Sequence, residues 1–523
     1  MIGRANVSSA APALRASSGL LLVALAVLPL VGCETTSSRQ IQPAERSPLG
    51  RQSLQWLERV TWGANTASAG ELLDLGEERF LERQLYPGAA PSTFQVAALD
   101  VGQRPLDRLV MELEQQRKEA DAMTDDEQKK AAQQAYQQAL TRVANEAASR
   151  SLLRDLYSPN QLQEQLTWFW FNHFNVFLYK GNLRAMVGDF EEHAIRPHAL
   201  GRFRDLLIST MRHPAMLRYL DNEQNAVGHI NENYARELME LHTLGVNGGY
   251  AQRDVQELAR VLTGLGINAS DKTPNVRPQL KAQYVRDGLF EFNPNRHDYG
   301  DKELLGQRIR GRGLAEIDEV AQLLARHPST AQFVSRKLAV YFVADDPPKP
   351  LVERMAATFQ GSDGDIAATL RTMFRSPEFA ASLGGKFKDP VHYVVSAVRF
   401  AYDGKPILNA LPMINWLNRL GEPLYGRPTP DGYPLTQTAW ASAGQMTARF
   451  EVAKLIGNSS AGLFKPSGPD AVEQPAFPQM ASALYYETVA QTLDPSTRQA
   501  LDVARSPQEW NIFLLASPEF MYR

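Results

Sequence analysis

The sequence predicts a mainly α fold, a multi-helix body of helical hairpins with one small β-hairpin near residues 283–292. Three observations predict it. Apolar residues recur at helical spacing through most of the chain after Ser53, capping residues and His-Pro or Ser-Pro corners punctuate those runs, and strand-type alternation is sparse. A length of 523 residues exceeds one ordinary core, so more than one packed subregion is expected. With 44% hydrophobic, 22% charged and 9% aromatic residues, the composition is that of a globular protein. A net charge of −3 and a pI of about 6.4 argue against a nucleic-acid partner, which calls for a clustered basic surface. The one Arg-rich run, Gln307 to Gly313, reads as a solvated loop.

Residues 1–33 come first. Arg4 and Arg15 precede the apolar run Gly19 to Val31, a basic region and short core typical of a secretory signal and too short to span a membrane. Leu30-Val31-Gly32-Cys33 resembles a bacterial lipoprotein cleavage box, which implies that Cys33 becomes an acylated N-terminus and anchors the protein to a membrane. By the same resemblance, Glu34 after the cysteine fits the outer membrane better than the inner one. Cys33 is the only cysteine, so no intrachain disulfide can form. Residues 34–50 are polar and read as a tether, and residues 51–523 as the helical body.

Within the body, Trp56 to Leu85 is helical with a turn at Trp62-Gly63-Ala64-Asn65. Residues 107–150, rich in Gln, Ala and Glu, read as a polar helical hairpin whose second helix starts at the capping box Thr124-Asp125-Asp126-Glu127. Ser158-Pro159-Asn160-Gln161 signals another start. His213-Pro214, His327-Pro328, Ser376-Pro377 and Ser517-Pro518 each follow an apolar run. Because proline disfavours helix in the residue before it and suits a first turn, these are corners, with His213 and His327 as caps. Gln283 to Phe292 alternates around Asp287-Gly288 and supplies the hairpin.

Three constellations could carry chemistry. In 231–250, NENYARELMELHTLGVNGGY, the residues Asn233, Arg236, Glu237 and Glu240 share one helical stripe opposite Tyr234, Ala235, Leu238, Met239 and Leu241. Glu232, Arg236 and Glu240 also form an i, i+4, i+8 charge ladder, which alone explains a solvated face. His242 breaks that account, because it falls on the apolar side and needs a partner or a role. The second is LTWFWFNHFNVF, 166–177, apolar all round except for Asn172 and His173, whose partners must come from elsewhere. The third is His297-Asp298 with Lys302, a metal-capable loop or a turn with local hydrogen bonds. Neither a nucleophile elbow, a phosphate loop, an H-E-x-x-H nor a complete dinucleotide fingerprint occurs, and no cofactor is indicated.

WFWFNHF, RDLLISTMRHPAMLRYLDN, NENYARELMELHTLGVNGGY, HDYGDKELLG, ARHPSTAQFVSRKL and PDGYP together resemble the bacterial family of domain of unknown function 1800, from about Ser53 to the end. The resemblance implies an exported protein working with a second exported protein, and no reaction. Two departures stand out: residues 107–150 look enlarged, and Leu265 stands where a Trp is expected.

The sequence thus leads to a lipid-anchored helical envelope protein that binds or scaffolds an exported partner. The alternative is an envelope hydrolase acting on a polymer such as a glycan. Glu237, Glu240, His242 and Arg236 would carry that chemistry, with Asn172, His173, Asn233, His297, Asp298 and Lys302 lining the site, with or without a metal.

Overall fold

The computed structural model describes residues 49–89, 96, 99–466, 471–474 and 476–523; Cys33 and the segments around it lie outside the described residues. The fold is mainly helical, with two small sheets. Arg51–Val60 buries Leu54, Trp56, Leu57 and Val60 and stops before Gly63. Asn65 caps Thr66–Leu75, its side chain accepting from Ser68 N–H at 2.9 Å, and Gly76 (φ 75°) separates this helix from Glu77–Leu85. Leu106–Ala122 and Asp126–Tyr157 form a helical hairpin. Its second helix is capped by Asp125, which accepts from Gln128 N–H at 2.8 Å, one residue beyond the expected Thr124.

Two helices form the centre. Gln161–His173 has every side chain buried except Gln163, and Pro390–Ala401 is buried throughout. They meet through His392 Nε2 and Gln165 Oε1, 3.4 Å apart. The first starts later than expected because Gln161 is occupied elsewhere. Its amide donates to the Asp155 and Ser158 carbonyls at 3.0 and 2.8 Å, and its Oε1 accepts Trp62 N–H at 3.1 Å. Aromatic side chains fill the space around this centre: Trp170 donates to the Ala199 carbonyl at 2.9 Å and packs on Phe169, Phe174 and Phe203.

The His-Pro corners turn the chain as read. His213 Nδ1 accepts Ala215 N–H at 3.1 Å and His327 Nδ1 accepts Ser329 N–H at 3.2 Å, opening Pro214–Tyr219 and Pro328–Phe342. Ser376 caps Pro377–Ala381 in the same way, at 3.1 Å from Phe379 N.

The β content exceeds the expectation. The hairpin of β2 (Val285–Asp287) and β3 (Phe290–Phe292) is present, but β3 also pairs with β1 (Leu265–Ile267), putting Phe292 opposite both Leu265 and Val285. A second hairpin joins β4 (Lys302–Leu304) to β5 (Gln307–Ile309). The Arg-rich run is therefore a strand at its start rather than a loop, with Ile309 buried under it. Strands of three residues are too short for alternation to announce them.

Candidate functional site

Three segments distant in sequence meet beside the end of the central helix Gln161–His173. The loop around Pro430–Pro434 is clamped to that helix. Asn172 donates to the Tyr433 carbonyl at 3.0 Å and accepts Tyr433 N–H at 2.6 Å. Asn175 donates to the Arg427 and Thr429 carbonyls at 3.0 and 2.8 Å. Gly432 is required here: its φ is 76°, and a Cβ would lie 2.1 Å from the Asn172 carbonyl oxygen. The clamp fixes Asp431, which Arg427 holds at 2.9 Å and the Thr429 hydroxyl also contacts. Partial burial works to raise its carboxyl, but these hydrogen bonds prevail and hold it below the usual range.

Residues 233–243 form a second wall. Asn233–Glu237 is α-helical, and Leu238–Thr243 widens into a π turn, with Leu244 N–H bonded to the Met239 carbonyl at 2.9 Å. Single π turns are uncommon and concentrate at functional sites. This one ends at Gly245 (φ 80°), where a Cβ would meet the Phe333 ring at 2.9 Å. The charge ladder is real: Arg236 lies 3.2 Å from Glu232 and 3.6 Å from Glu240. Glu237 stands apart from it, half-buried, with no hydrogen-bond or ion-pair partner among the described residues. Burial first, then the Glu240 and Asp431 charges, raise its carboxyl above the usual range, with Arg236 opposing.

The third wall is the helix Pro328–Phe342, which supplies Lys337. Its Nζ lies 5.6 Å from the Phe333 ring and has no hydrogen-bond or ion-pair partner among the described residues. Burial lowers this ammonium to about 8, and the Asp431 charge works the other way. Behind it lie His173 and His242, fully enclosed, with ring centroids 6.0 Å apart. His173 Nε2 donates to the His242 carbonyl at 3.0 Å, while His173 Nδ1 and both His242 nitrogens have no hydrogen-bond partner among the described residues. Burial, reinforced by the nearby Lys337 charge, lowers both imidazoles, His242 to about 3, so both are neutral at pH 7. Two phenols complete the rim. Tyr219 donates to the Pro428 carbonyl at 2.8 Å and is raised by burial and the Glu237 charge; Tyr250 is pushed up to about 12 by burial and Glu240.

A family model described as a protein of unknown function, DUF1800, matches residues 55–522. The chain belongs to this family. No curated protein and no solved structure matches it.

Not every candidate of this DUF1800 chain joins the cluster. Asn233 faces outward and donates to the Leu220 carbonyl at 3.1 Å, tying down the start of its helix. His297 and Lys302 are fully buried and closed on Glu316, at 2.9 and 2.6 Å, while His297 Nδ1 meets the Thr263 carbonyl at 2.8 Å. Burial would raise the Glu316 carboxyl, yet these two partners hold it below the usual range. Asp298 points away to Arg260, 2.8 Å from its Nε. All three are satisfied by protein partners. Among the described residues no three His, Cys, Asp or Glu side chains are grouped to hold a metal ion. Leu265, the expected Trp position, is buried in the sheet opposite Phe292.

Lys337 and Asp431 escaped the sequence reading. Both lie in stretches that carry the family resemblance, and Lys337 had a signal: it sits within a turn of Val334, Leu338 and Tyr341, all buried, so a charge there borders the core.

Proposed function

We propose that this chain is an exported, lipid-anchored bacterial envelope protein in which Glu237, Asp431 and Lys337 perform acid–base hydrolysis of an envelope polymer such as a glycan. One observation carries the reading: a carboxyl held high and an amine held low, neither with a hydrogen-bond or ion-pair partner among the described residues, both feel the charge of the same clamped carboxylate. Titratable neighbours pushed in opposite directions mark acid and base roles. With its ammonium near 8, about a quarter of Lys337 is free amine at pH 7.5. Lys337 Nζ takes a proton from water, whose oxygen bonds to the glycosidic carbon. As the carbon–oxygen bond of the leaving group breaks, Glu237 gives its proton to that oxygen. Asp431, always ionised, stabilises the positive charge that develops between them.

The test starts with the full chain in detergent. Competitive acylation of lysines across pH 6–11, read by mass spectrometry, should give Lys337 a midpoint of about 8; an ordinary lysine midpoint near 10.4 removes the base. Glu237→Gln and Lys337→Met should then each lower release of reducing ends from envelope glycans by about 100-fold or more.

A binding role has its own support. Residues 121–128, at the tip of the helical hairpin, are all exposed and hold four acidic and no basic side chains, a surface suited to a basic exported partner. Unchanged glycan release in both variants would move the working surface to this tip.

A further inference from the structure

A second titratable cluster, built on other residues, is not used by the reading above. Asp189 stands between two histidines: its Oδ2 is 2.7 Å from His193 Nδ1 and its Oδ1 3.0 Å from His213 Nε2. The tautomers follow from the hydrogen bonds. His213 Nδ1 accepts the Ala215 N–H at 3.1 Å, so its proton is on Nε2 and is donated to Asp189. The corner histidine thus has two tasks, capping a helix with one nitrogen and orienting a carboxylate with the other. Asp189 is ionised, since burial is outweighed by the two histidine hydrogen bonds. An ionised Asp189 holds the Nδ1 proton of His193, so the neutral imidazole carries its lone pair on Nε2. The same hydrogen bond raises His193 above the ordinary histidine value, and this neutral form grows as pH rises through that value.

That nitrogen opens outward. The His193 side chain is 68% exposed, against 9% for His213. Both rings and Asp189 line a groove of about 740 Å³ between the helix Phe203–Arg212 and the β2–β3 hairpin. His193 sits on a second π turn, Phe190–Ile195, whose neighbours Phe190, Ala194 and Ile195 are in the core, so the base stands on a rigid support. One wall of the groove is apolar, with Ile208, Leu289, Phe290 and Leu314. Its polar rim includes Asp107, Asp205 and Asp287, and Arg212, the arginine on it, is already paired with Asp318 at 2.8 Å. This charge pattern disfavours phosphate or carboxylate substrates and suits a neutral one with an apolar arm.

We infer that His193, oriented by Asp189, is the general base of a second hydrolytic site that cleaves neutral carboxylic esters with an apolar acyl group. His193 Nε2 takes one proton of a water molecule as the water oxygen forms a bond to the acyl carbon. When the carbon–oxygen bond to the alcohol breaks, the same proton passes from Nε2 to the departing oxygen. Water is the only co-reactant, and the products are the acid and the alcohol. Asp189 is a positioning residue, because it acts through the imidazole.

The experiment uses the full chain in detergent with p-nitrophenyl butyrate as probe. His193→Gln, a change at an exposed side chain, should lower kcat about 100-fold with little change in KM. Asp189→Asn should lower kcat with KM unchanged, the split expected when the imidazole is misoriented and the binding wall is intact. His229→Gln, an exposed histidine outside the groove, should leave the rate as it is. Rates of His193→Gln within twofold of the unaltered chain overturn the proposal, whatever Asp189→Asn does to folding. Hydrolysis of p-nitrophenyl phosphate lost with His193 would overturn the neutral-ester class. The Lys337 labelling midpoint belongs to the other site, so the two proposals stand or fall separately.

Discussion

Lys337 and Glu237 are each shifted toward the form they adopt less readily in water, and that makes them a stability liability as well as a chemical resource. For Lys337 the folded value, about 8, lies below that of the unfolded chain. The unfolded chain then binds the extra proton between about pH 8 and 10.4, so stability rises with pH across that window. Below it, folding carries a cost that Lys337→Met removes. The variant should melt about 1–2 °C higher at pH 7, and the gain should vanish above about pH 10.5. For Glu237 the sign is opposite. Its folded value is raised, so stability falls as pH climbs from the unfolded value through the folded one, and Glu237→Gln should stabilise at pH 7 but not at pH 4. Thermal melts of both variants at pH 4, 7 and 10.5 check this, and a Lys337→Met gain that ignores pH would mean that packing, not charge, is responsible. Within the NENYARELMELH stretch, Arg236 pairs with Glu232 and Glu240 along the helix, while Glu237, one position along from Arg236, stands outside that ladder with its carboxyl raised.

Among the elements, the loop clamped by Asn172 and Asn175 decides whether the site exists. Asn172→Ala would leave the Tyr433 N–H and carbonyl buried without their partner, a cost of about 2–4 kcal/mol. The loop should loosen, and denaturant titration should show the loss together with faster proteolysis near Asp431. Retained stability would mean that the loop is held by its aromatic contacts, Tyr433 against Trp168 and Trp440, instead. The elements also show what a sequence can disclose. His213, His327 and Ser376 announced their corners because a cap before proline is a local event, decided within four residues. The buried run around Trp168 was visible because no helix face was polar, and it correctly implied distant partners for Asn172 and His173. The π turn was not visible: a 3.6-residue period fits Tyr234 to Met239, and nothing local in the following residues marks the extra one. Leu241, expected on the apolar face, is accordingly only half-buried. Asp431 and Lys337 were hidden for a different reason, since each acts electrostatically on the other across more than 90 positions of the chain.

At the scale of the molecule, the described residues contain no helix long and apolar enough to cross a membrane. The anchor proposed above is Cys33, acylated as its resemblance to a lipoprotein cleavage box implies. Each buried methylene of an acyl chain adds about 0.8 kcal/mol, one chain alone binds only reversibly, and a multiply acylated cysteine therefore gives a stable hold where a single chain does not. Residues 34–50, read from the sequence as a polar tether, would link that anchor to the body. Cys33→Ser should therefore abolish incorporation of a labelled fatty acid and shift the protein from the membrane pellet to the soluble fraction. The melting temperature and the Lys337 midpoint should stay unchanged, because the body folds around its own buried centre. Residence of the variant in the pellet without label would mean that the body itself binds the envelope, and the acidic hairpin tip at residues 121–128 would be the first surface to neutralise.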